Sequence, residues 1–250
     1  MTTYSVSVVI PCFNAENTIE RAINSVVEGS RRPDEILVYD DCSSDGTRGI
    51  LRRISNSHEF VRVISGDQNR GAGHARNSLL REATGDFIAF LDSDDWWYEQ
   101  KLEKQMERVE ADGADIVTCH YDLFDSAGQK LGVRRPLRRI NAFTMHLSNW
   151  LPTSMTIVRS SLVGARHMPL IRRRQDYAYW LNLFKMNKNI KCLVVDQVLG
   201  GYLRNEGSLS SSRMQNAKSN FTMFRHTMGY GRIQSATLLL LNIAIRLARL

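Results

Sequence analysis

The feature that most restricts this chain is a regular alternation in its first hundred residues. Short, nearly continuous apolar runs occur at 6–10, 36–39, 61–64 and 87–91. Runs of that length without a polar face suit strands buried on both sides. Helix-like stretches separate them, at roughly 15–28, 47–55 and 73–83. In the first, Ile19, Ala22, Ile23, Val26 and Val27 recur at helical spacing. In the last, Ala75, Leu79, Leu80 and Ala83 do the same. Strand–helix–strand repetition predicts a parallel sheet with crossover helices, an α/β fold of the nucleotide-binding type.

In such a sheet, ligands bind beyond the carboxyl ends of the strands. The residues after each apolar run are therefore the ones to inspect. They read Pro11-Cys12-Phe13-Asn14, then Asp40-Asp41-Cys42-Ser43-Ser44-Asp45-Gly46-Thr47, then Asn69-Arg70-Gly71 with Ala75-Arg76-Asn77, then Asp92-Ser93-Asp94-Asp95. Each alone is weak, because Asp-rich turns commonly cap helices. Ser44-Asp45-Gly46-Thr47 reads as a capping turn whatever the function. Four polar strand ends along one edge are harder to assign to capping. Three carboxylates within Asp92–Asp95 repel one another unless a cation joins them. Mg²⁺ or Mn²⁺, with phosphate oxygens as further ligands, is one reading. An N-cap cluster for the next helix is the other.

Together these segments resemble the large family of inverting glycosyltransferases that includes cellulose, chitin and hyaluronan synthases and many bacterial polysaccharide enzymes. The resemblance covers roughly the first 100 residues. It implies the GT-A fold, a mixed, mainly parallel central sheet flanked by helices, here with C-terminal helices added. It also implies roles. Phe13 would lie against the nucleobase, with Pro11, Asn14 and Glu16 shaping that pocket. Asp41 would accept a hydrogen bond from base or ribose. Arg76 would face the base or the diphosphate, and Asp92 and Ser93 the ribose. Asp94 and Asp95 would hold the metal, Mn²⁺ or Mg²⁺. The donor implied is a nucleotide sugar, a UDP-hexose by family habit. The acceptor implied is a glycan or a lipid-pyrophosphate-linked glycan of bacterial surface polysaccharide synthesis.

The second half carries Arg174-Gln175-Asp176-Tyr177-Ala178-Tyr179-Trp180. The family has an acidic pair here, and its Asp is the catalytic base. This chain has Gln175 in place of the first acid and keeps Asp176. A carboxylate suits the task of taking a proton from an attacking hydroxyl. A helix cap is the alternative for Asp176 taken alone. Arg204, in a polar stretch from Gly201 to Ser210, is expected at the donor phosphates, with a plain surface loop as the equal alternative. Processive relatives carry Gln-x-x-Arg-Trp. Here no Arg precedes Trp180, and no segment reaches the about 18 apolar residues of a membrane span. Transfer of one sugar per encounter is expected.

The expected layout is a transferase domain over 1–212, with a nucleotide half at 1–98 and an acceptor half at 99–212, followed by a helical extension at 213–250. In the second half, helices are expected at 99–112 and 176–185, strands at 116–120 and 154–158, a loop or hairpin at 125–140, and terminal helices at 213–229 and 232–249. The 43% hydrophobic and 24% charged residues suit a domain with a substantial core.

Net charge is +7, and Arg134-Arg135, Arg138-Arg139 and Arg172-Arg173-Arg174 are dense basic runs. Such charge fits nucleic acid, an anionic membrane or a phosphorylated substrate. Carboxylates at successive strand ends argue against nucleic acid. The apolar tail at 236–250, with Asn242, Arg246 and Arg249 on one face, reads as an amphipathic helix. It is expected to dock on an anionic membrane, or else to pack on the protein's own core or a second subunit of a homodimer. The start of the chain does not read as a signal peptide, and four cysteines without CxxC spacing suit reduced thiols. A cytoplasmic protein, peripheral at the inner membrane face, is the expectation. Two other functions remain open. A catalytically inactive nucleotide-sugar-binding protein differs only in whether Asp176 works. A sugar-nucleotide pyrophosphorylase lacks support, since its first loop is glycine-rich and Pro11-Cys12-Phe13-Asn14 has no glycine.

Overall fold

Val6, Val8, Ile10 and Cys12 enter one buried apolar cluster, and Val9 enters another. The first strand is thus covered on both faces, as its unbroken apolar run requires. The computed structural model describes residues 4–164, 167–204 and 213–248. In chain order the first half comprises β1 (Val6–Cys12), α1 (Ile19–Val27), β2 (Glu35–Asp40), α2 (Thr47–Ser57), β3 (Val61–Ser65), α3 (Ala72–Glu82), β4 (Phe87–Phe90) and β5 (Trp96–Trp97). The second half comprises α4 (Lys101–Asp112), β6 (Ile116–Asp125), β7 (Lys130–Arg134), α5 (Ala142–Leu147), β8 (Ile157–Arg159), α6 (Ser160–Val163), α7 (Gln175–Met186), β9 (Cys192–Arg204), α8 (Arg213–Thr222) and α9 (Arg232–Ala248). The strands form one sheet in the order β3-β2-β1-β4-β8-β6-β9-β5, with β7 paired to β6.

β1 to β4 run parallel, so the carboxyl ends of all four share one edge. β8 then enters antiparallel between β4 and β6, joining the two halves into a single sheet. β6 and β9 pair in parallel, while β5 and β7 lie antiparallel to them. The α1 residues Ile19, Ala22, Ile23 and Val26 are buried at the predicted spacing and pack on one face with α2 and α4. α3 and α7 cover the other face. α4 stops at Gly113, whose φ of 63° is the left-handed conformation that glycine tolerates.

Most second-half expectations hold, with shifts of a few residues. The 125–140 stretch is the hairpin partner of β6 as far as Arg134. The strand expected at 154–158 starts later, because Thr153–Met155 form a 3₁₀ turn. The polar stretch expected to begin at Gly201 is the end of β9 as far as Arg204. Gly200 and Gly201 explain its composition. A Cβ on Gly200 would stand 2.6 Å from Met155 Sδ and 2.9 Å from the Trp96 carbonyl oxygen. One on Gly201 would strike the Trp96 ring. The glycine pair lets β5 approach β9.

The terminal helices are present, the first continuing past Thr222 as a π turn over Met223–Thr227. Of the expected polar face of the last helix, Asn242 turns inward. Asn242 is buried, and its Nδ2 donates to the Leu147 carbonyl at 2.8 Å while its Oδ1 accepts from Asn220 at 3.0 Å. An amide on an apolar helix is satisfied by bonding inward. Ile233, Leu240, Leu241 and Leu247 are left exposed. Arg249 lies outside the described residues. No described helix is long and apolar enough to cross a membrane.

Candidate active site

The four predicted strand ends converge. Pro11, Phe13, Asn14, Asp41, Arg76, Asp92, Ser93 and Asp94 line a cavity of about 560 Å³. Phe13 is 47% exposed, an aromatic ring held at a cavity wall rather than in the core. The turns around it are braced to one another. Asn14, at φ 46°, donates its amide N–H to Ser43 Oγ, and its side-chain oxygen accepts from Ser44 N, both at 2.9 Å. The Asp41 carboxylate accepts from Arg70 N at 3.0 Å and Gly71 N at 2.6 Å. Gly71 has φ 87°, so the carboxylate fixes a turn that only glycine adopts easily.

Glu16 differs from the expectation. Its carboxylate accepts from Gly46 N at 2.6 Å, and it does not line the cavity. It helps hold the α2 start, where Asp45 also accepts from Thr47 N. α2 therefore starts within Ser44-Asp45-Gly46-Thr47, with Gly46 at the N-cap and no side-chain cap bond from it.

The acidic segment divides. Asp92 lines the cavity, and the buried Arg76 guanidinium donates to its carboxylate. Burial works against the Arg76 charge, but Asp92 first, and Asp176 and Asp94 after it, hold its pKa above the ordinary value. Asp94 also lines the cavity, and burial, then repulsion from Asp92, pushes its pKa up to about 6. Asp95 faces inward. It is buried, its Oδ2 accepts from Ser154 Oγ at 2.5 Å, and its Oδ1 accepts from Leu203 N at 2.9 Å. Burial, then Asp94 and Asp92, drives its pKa well above the carboxylate range. Ser154 also accepts from the Asp92 amide at 3.1 Å, so one hydroxyl fixes both ends of the turn. Arg21, stacked 3.9 Å over Trp96, donates to the Asp94 carbonyl at 2.9 Å. Sequence reading missed Arg21 and Ser154, which lie far from the acidic run in the chain.

These residues fit a divalent cation of the open kind. Asp94 supplies a cavity-facing carboxylate whose burial beside Asp92 disfavours its charge, and a cation offsets that cost. Mg²⁺ and Mn²⁺ sites often use one or two carboxylates and take substrate phosphates for the rest. Among the described residues no group of three His, Cys, Asp or Glu side chains forms a closed site.

A second cavity, of about 620 Å³, adjoins the first and shares Arg76 and Asp92 with it. Asp176 lines it, with Asn149, Trp150, Tyr121 and Tyr202. The N-cap of α7 is Arg174, so Asp176 stands inside the first turn rather than at the cap. Its Oδ2 accepts from Asn149 Nδ2 at 2.8 Å. The rest of α7 is anchored, since Tyr177, Trp180, Leu181 and Phe184 are all buried. Asn149 gave no signal in the sequence. Arg204 ends β9 exposed and lines neither cavity, and residues 205–210 of the predicted polar stretch lie outside the described residues.

Comparison with known proteins gives the family and the fold. Residues 7–173 match the family described as glycosyl transferase family 2. The chain is 34% identical to TuaG of Bacillus subtilis, assigned by name to teichuronic acid biosynthesis, over 88% of this chain and 87% of that one. It is 31% identical to WfgD of Escherichia coli, named as a UDP-Glc:alpha-D-GlcNAc-diphosphoundecaprenol beta-1,3-glucosyltransferase, over 87% of this chain and 84% of that one. The fold matches S. aureus TarS solved with UDP-GlcNAc at a TM-score of 0.73 and 20% identity, over 96% of this chain and 71% of that one. It matches Pyrobaculum calidifontis mannosyltransferase PcManGT, solved with GDP-Man and Mn²⁺, at 0.70 and 18%, over 96% of this chain and 69% of that one. The architecture is GT-A, and the chain is a glycosyltransferase belonging to glycosyl transferase family 2.

Proposed function

We propose that this enzyme moves one sugar from a nucleotide-sugar donor, a UDP-hexose, to a glycan or lipid-diphosphate-linked acceptor of bacterial surface polysaccharide, with inversion. One observation carries the reading: the Phe13–Asp94 cavity and the Asp176 cavity meet at the Arg76–Asp92 pair. A donor in the first would present its anomeric carbon near that junction. An acceptor in the second would bring its hydroxyl to Asp176. TarS with UDP-GlcNAc and the named acceptor of WfgD support the two substrate classes.

Phe13 stacks on the nucleobase, and Pro11, Asn14 and Asp41 form the surrounding wall. Arg76, kept charged by Asp92, faces the diphosphate. Asp94, with Asp92 beside it, would hold Mn²⁺ or Mg²⁺, which offsets charge on the leaving diphosphate when bound. Asp176, oriented by Asn149, accepts the proton of the acceptor hydroxyl as that oxygen attacks the anomeric carbon opposite the nucleotide. The C–O bond to the diphosphate breaks as the new glycosidic bond forms.

Asp176→Asn tests the assignment. Calorimetry is expected to show unchanged UDP binding, and a transfer assay to show at least ~100-fold loss of rate. Full turnover in the variant overturns the base. No transfer by the unaltered protein across a panel of nucleotide sugars and acceptors favours the inactive binding protein instead.

Peripheral binding at an anionic bilayer is part of the same reading, supported by the exposed Leu240, Leu241 and Leu247 and the +7 charge. Truncation is a poor test, because it removes the buried Asn242. Leu240→Gln with Leu247→Gln should abolish flotation with anionic liposomes. Unchanged flotation excludes the tail.

A further inference from the structure

The basic runs separate in the structure. Arg138 pairs with Asp196 at 3.0 Å and does not line the Asp176 cavity. Arg134, Arg135 and Arg172 to Arg174 instead line the Asp176 cavity. Arg134 closes β7 directly opposite Tyr121, in the register of the β6–β7 hairpin. Arg172 to Arg174 lead into α7, and Arg174 holds φ 64°, a left-handed conformation uncommon for a side chain of this kind. Two segments about forty residues apart thus bring their arginines to one concave wall.

Six arginines line this cavity against two carboxylates, Asp92 and Asp176, and Asp92 is already paired with Arg76. The Arg134 and Arg172 guanidinium groups have no ion-pair partner among the described residues. Guanidinium groups gathered in a recess raise the local potential and match phosphate oxygens in a bidentate way. The donor diphosphate is not what they meet. The cavity lined by Phe13 and Asp94 shares only Arg76 and Asp92 with theirs. A flat bilayer surface also fits poorly, because these arginines line a recess of about 620 Å³ that contains Asp176.

We propose that Arg134, Arg135 and Arg172 to Arg174 bind a phosphate or diphosphate ester carried by the acceptor itself, on the acceptor sugar whose hydroxyl faces Asp176. The inference rests on the reading of the Asp176 cavity as the acceptor site and chooses a phosphate-bearing acceptor over a neutral glycan. The acceptor is then read close to its phosphate. The arginines set specificity, and Asp176 performs proton transfer.

Two soluble probes test this: the octyl diphosphate ester of N-acetylglucosamine, and the neutral octyl glycoside of the same sugar. Each is titrated calorimetrically into the protein with saturating UDP and Mn²⁺. The diphosphate ester is expected to bind at least ~10-fold more tightly, with the difference shrinking as salt rises. Arg134→Gln and Arg172→Gln should each weaken the ester roughly 10-fold and leave the neutral glycoside and UDP unchanged. Equal affinities, no measurable ester binding, or arginine variants without effect on the ester overturns the proposal. So does an effect seen only with phosphatidylglycerol vesicles, which assigns the arginines to a lipid surface. UDP is titrated first. If UDP fails to bind, the donor-site reading fails, and the ester titration run without UDP still decides this one.

Discussion

Arg76 and Asp92 stand sixteen residues apart in sequence and form one ion pair in the wall common to both cavities. The Arg76 side chain is 7% exposed and that of Asp92 28%. A buried charge left without its partner is strongly destabilising. Arg76→Ala removes the buried partner and leaves the partly exposed Asp92 unpaired, so it is expected to cost about 1–3 kcal/mol in urea unfolding. It should also weaken UDP at least ~10-fold. Adding Asp92→Asn should restore part of the stability and none of the UDP affinity. A double variant no more stable than Arg76→Ala would show that the pair is not what holds this wall.

Adjacent carboxylates in the acidic segment should behave oppositely. Asp94→Ala removes a cavity-facing charge, so it should abolish the gain in UDP affinity from Mn²⁺ over chelator while leaving stability unchanged or higher. Asp95→Ala strands the Ser154 hydroxyl and the Leu203 N–H, and should cost about 1–3 kcal/mol. Metal dependence should survive in Asp95→Ala once the protein is folded. The reverse pattern, measured by calorimetry and denaturation, would put the ion at Asp95.

That division could not be read from the sequence. Successive side chains alternate faces in a strand, but Asp92 to Asp95 follow β4 in a turn, where no fixed period applies. The parallel core was legible because strands buried on both faces leave continuous apolar runs, and the strand ends followed from it. β9 was harder. Its Asp196, Gln197 and glycine pair break the apolar pattern, yet they sit in a strand supported on both edges by β6 and β5. The tail was legible only in part. Helical spacing marked Asn242 but not which way it points, and its amide is satisfied inside the protein. The basic runs carried no sign that Arg134-Arg135 and Arg172 to Arg174 would line the cavity of Asp176.

Asn149 acts through Asp176, to which it donates at 2.8 Å. It comes from the segment between α5 and the 3₁₀ turn and is only partly buried. Asn149→Ala should fold normally and bind UDP as before. Its kcat should fall on the order of 10-fold, because a misdirected base loses alignment with the hydroxyl. KM for the donor should stay constant. A change confined to donor KM would place Asn149 on the nucleotide side and remove its positioning role.

Lys101 is a cost the fold carries outside the site. It is fully buried, its Nζ lies 3.4 Å from the Trp97 ring centroid, and it has no hydrogen-bond partner among the described residues. Burial lowers its pKa to about 7, with Cys119 opposing weakly. In the unfolded chain a lysine titrates near ~10.4. Between these values the unfolded state binds a proton that the folded state does not, so this group makes stability rise with pH across that window. Below about pH 7 both states are charged, and the full burial cost is present. Lys101→Met keeps the volume and removes the charge. It should stabilise the protein by on the order of a few kcal/mol at pH 6. The gap between variant and unaltered protein should narrow at pH 9 in urea unfolding, since the thiols are the same in both. A gap that stays constant or widens with pH would mean that Lys101 keeps its proton in the core.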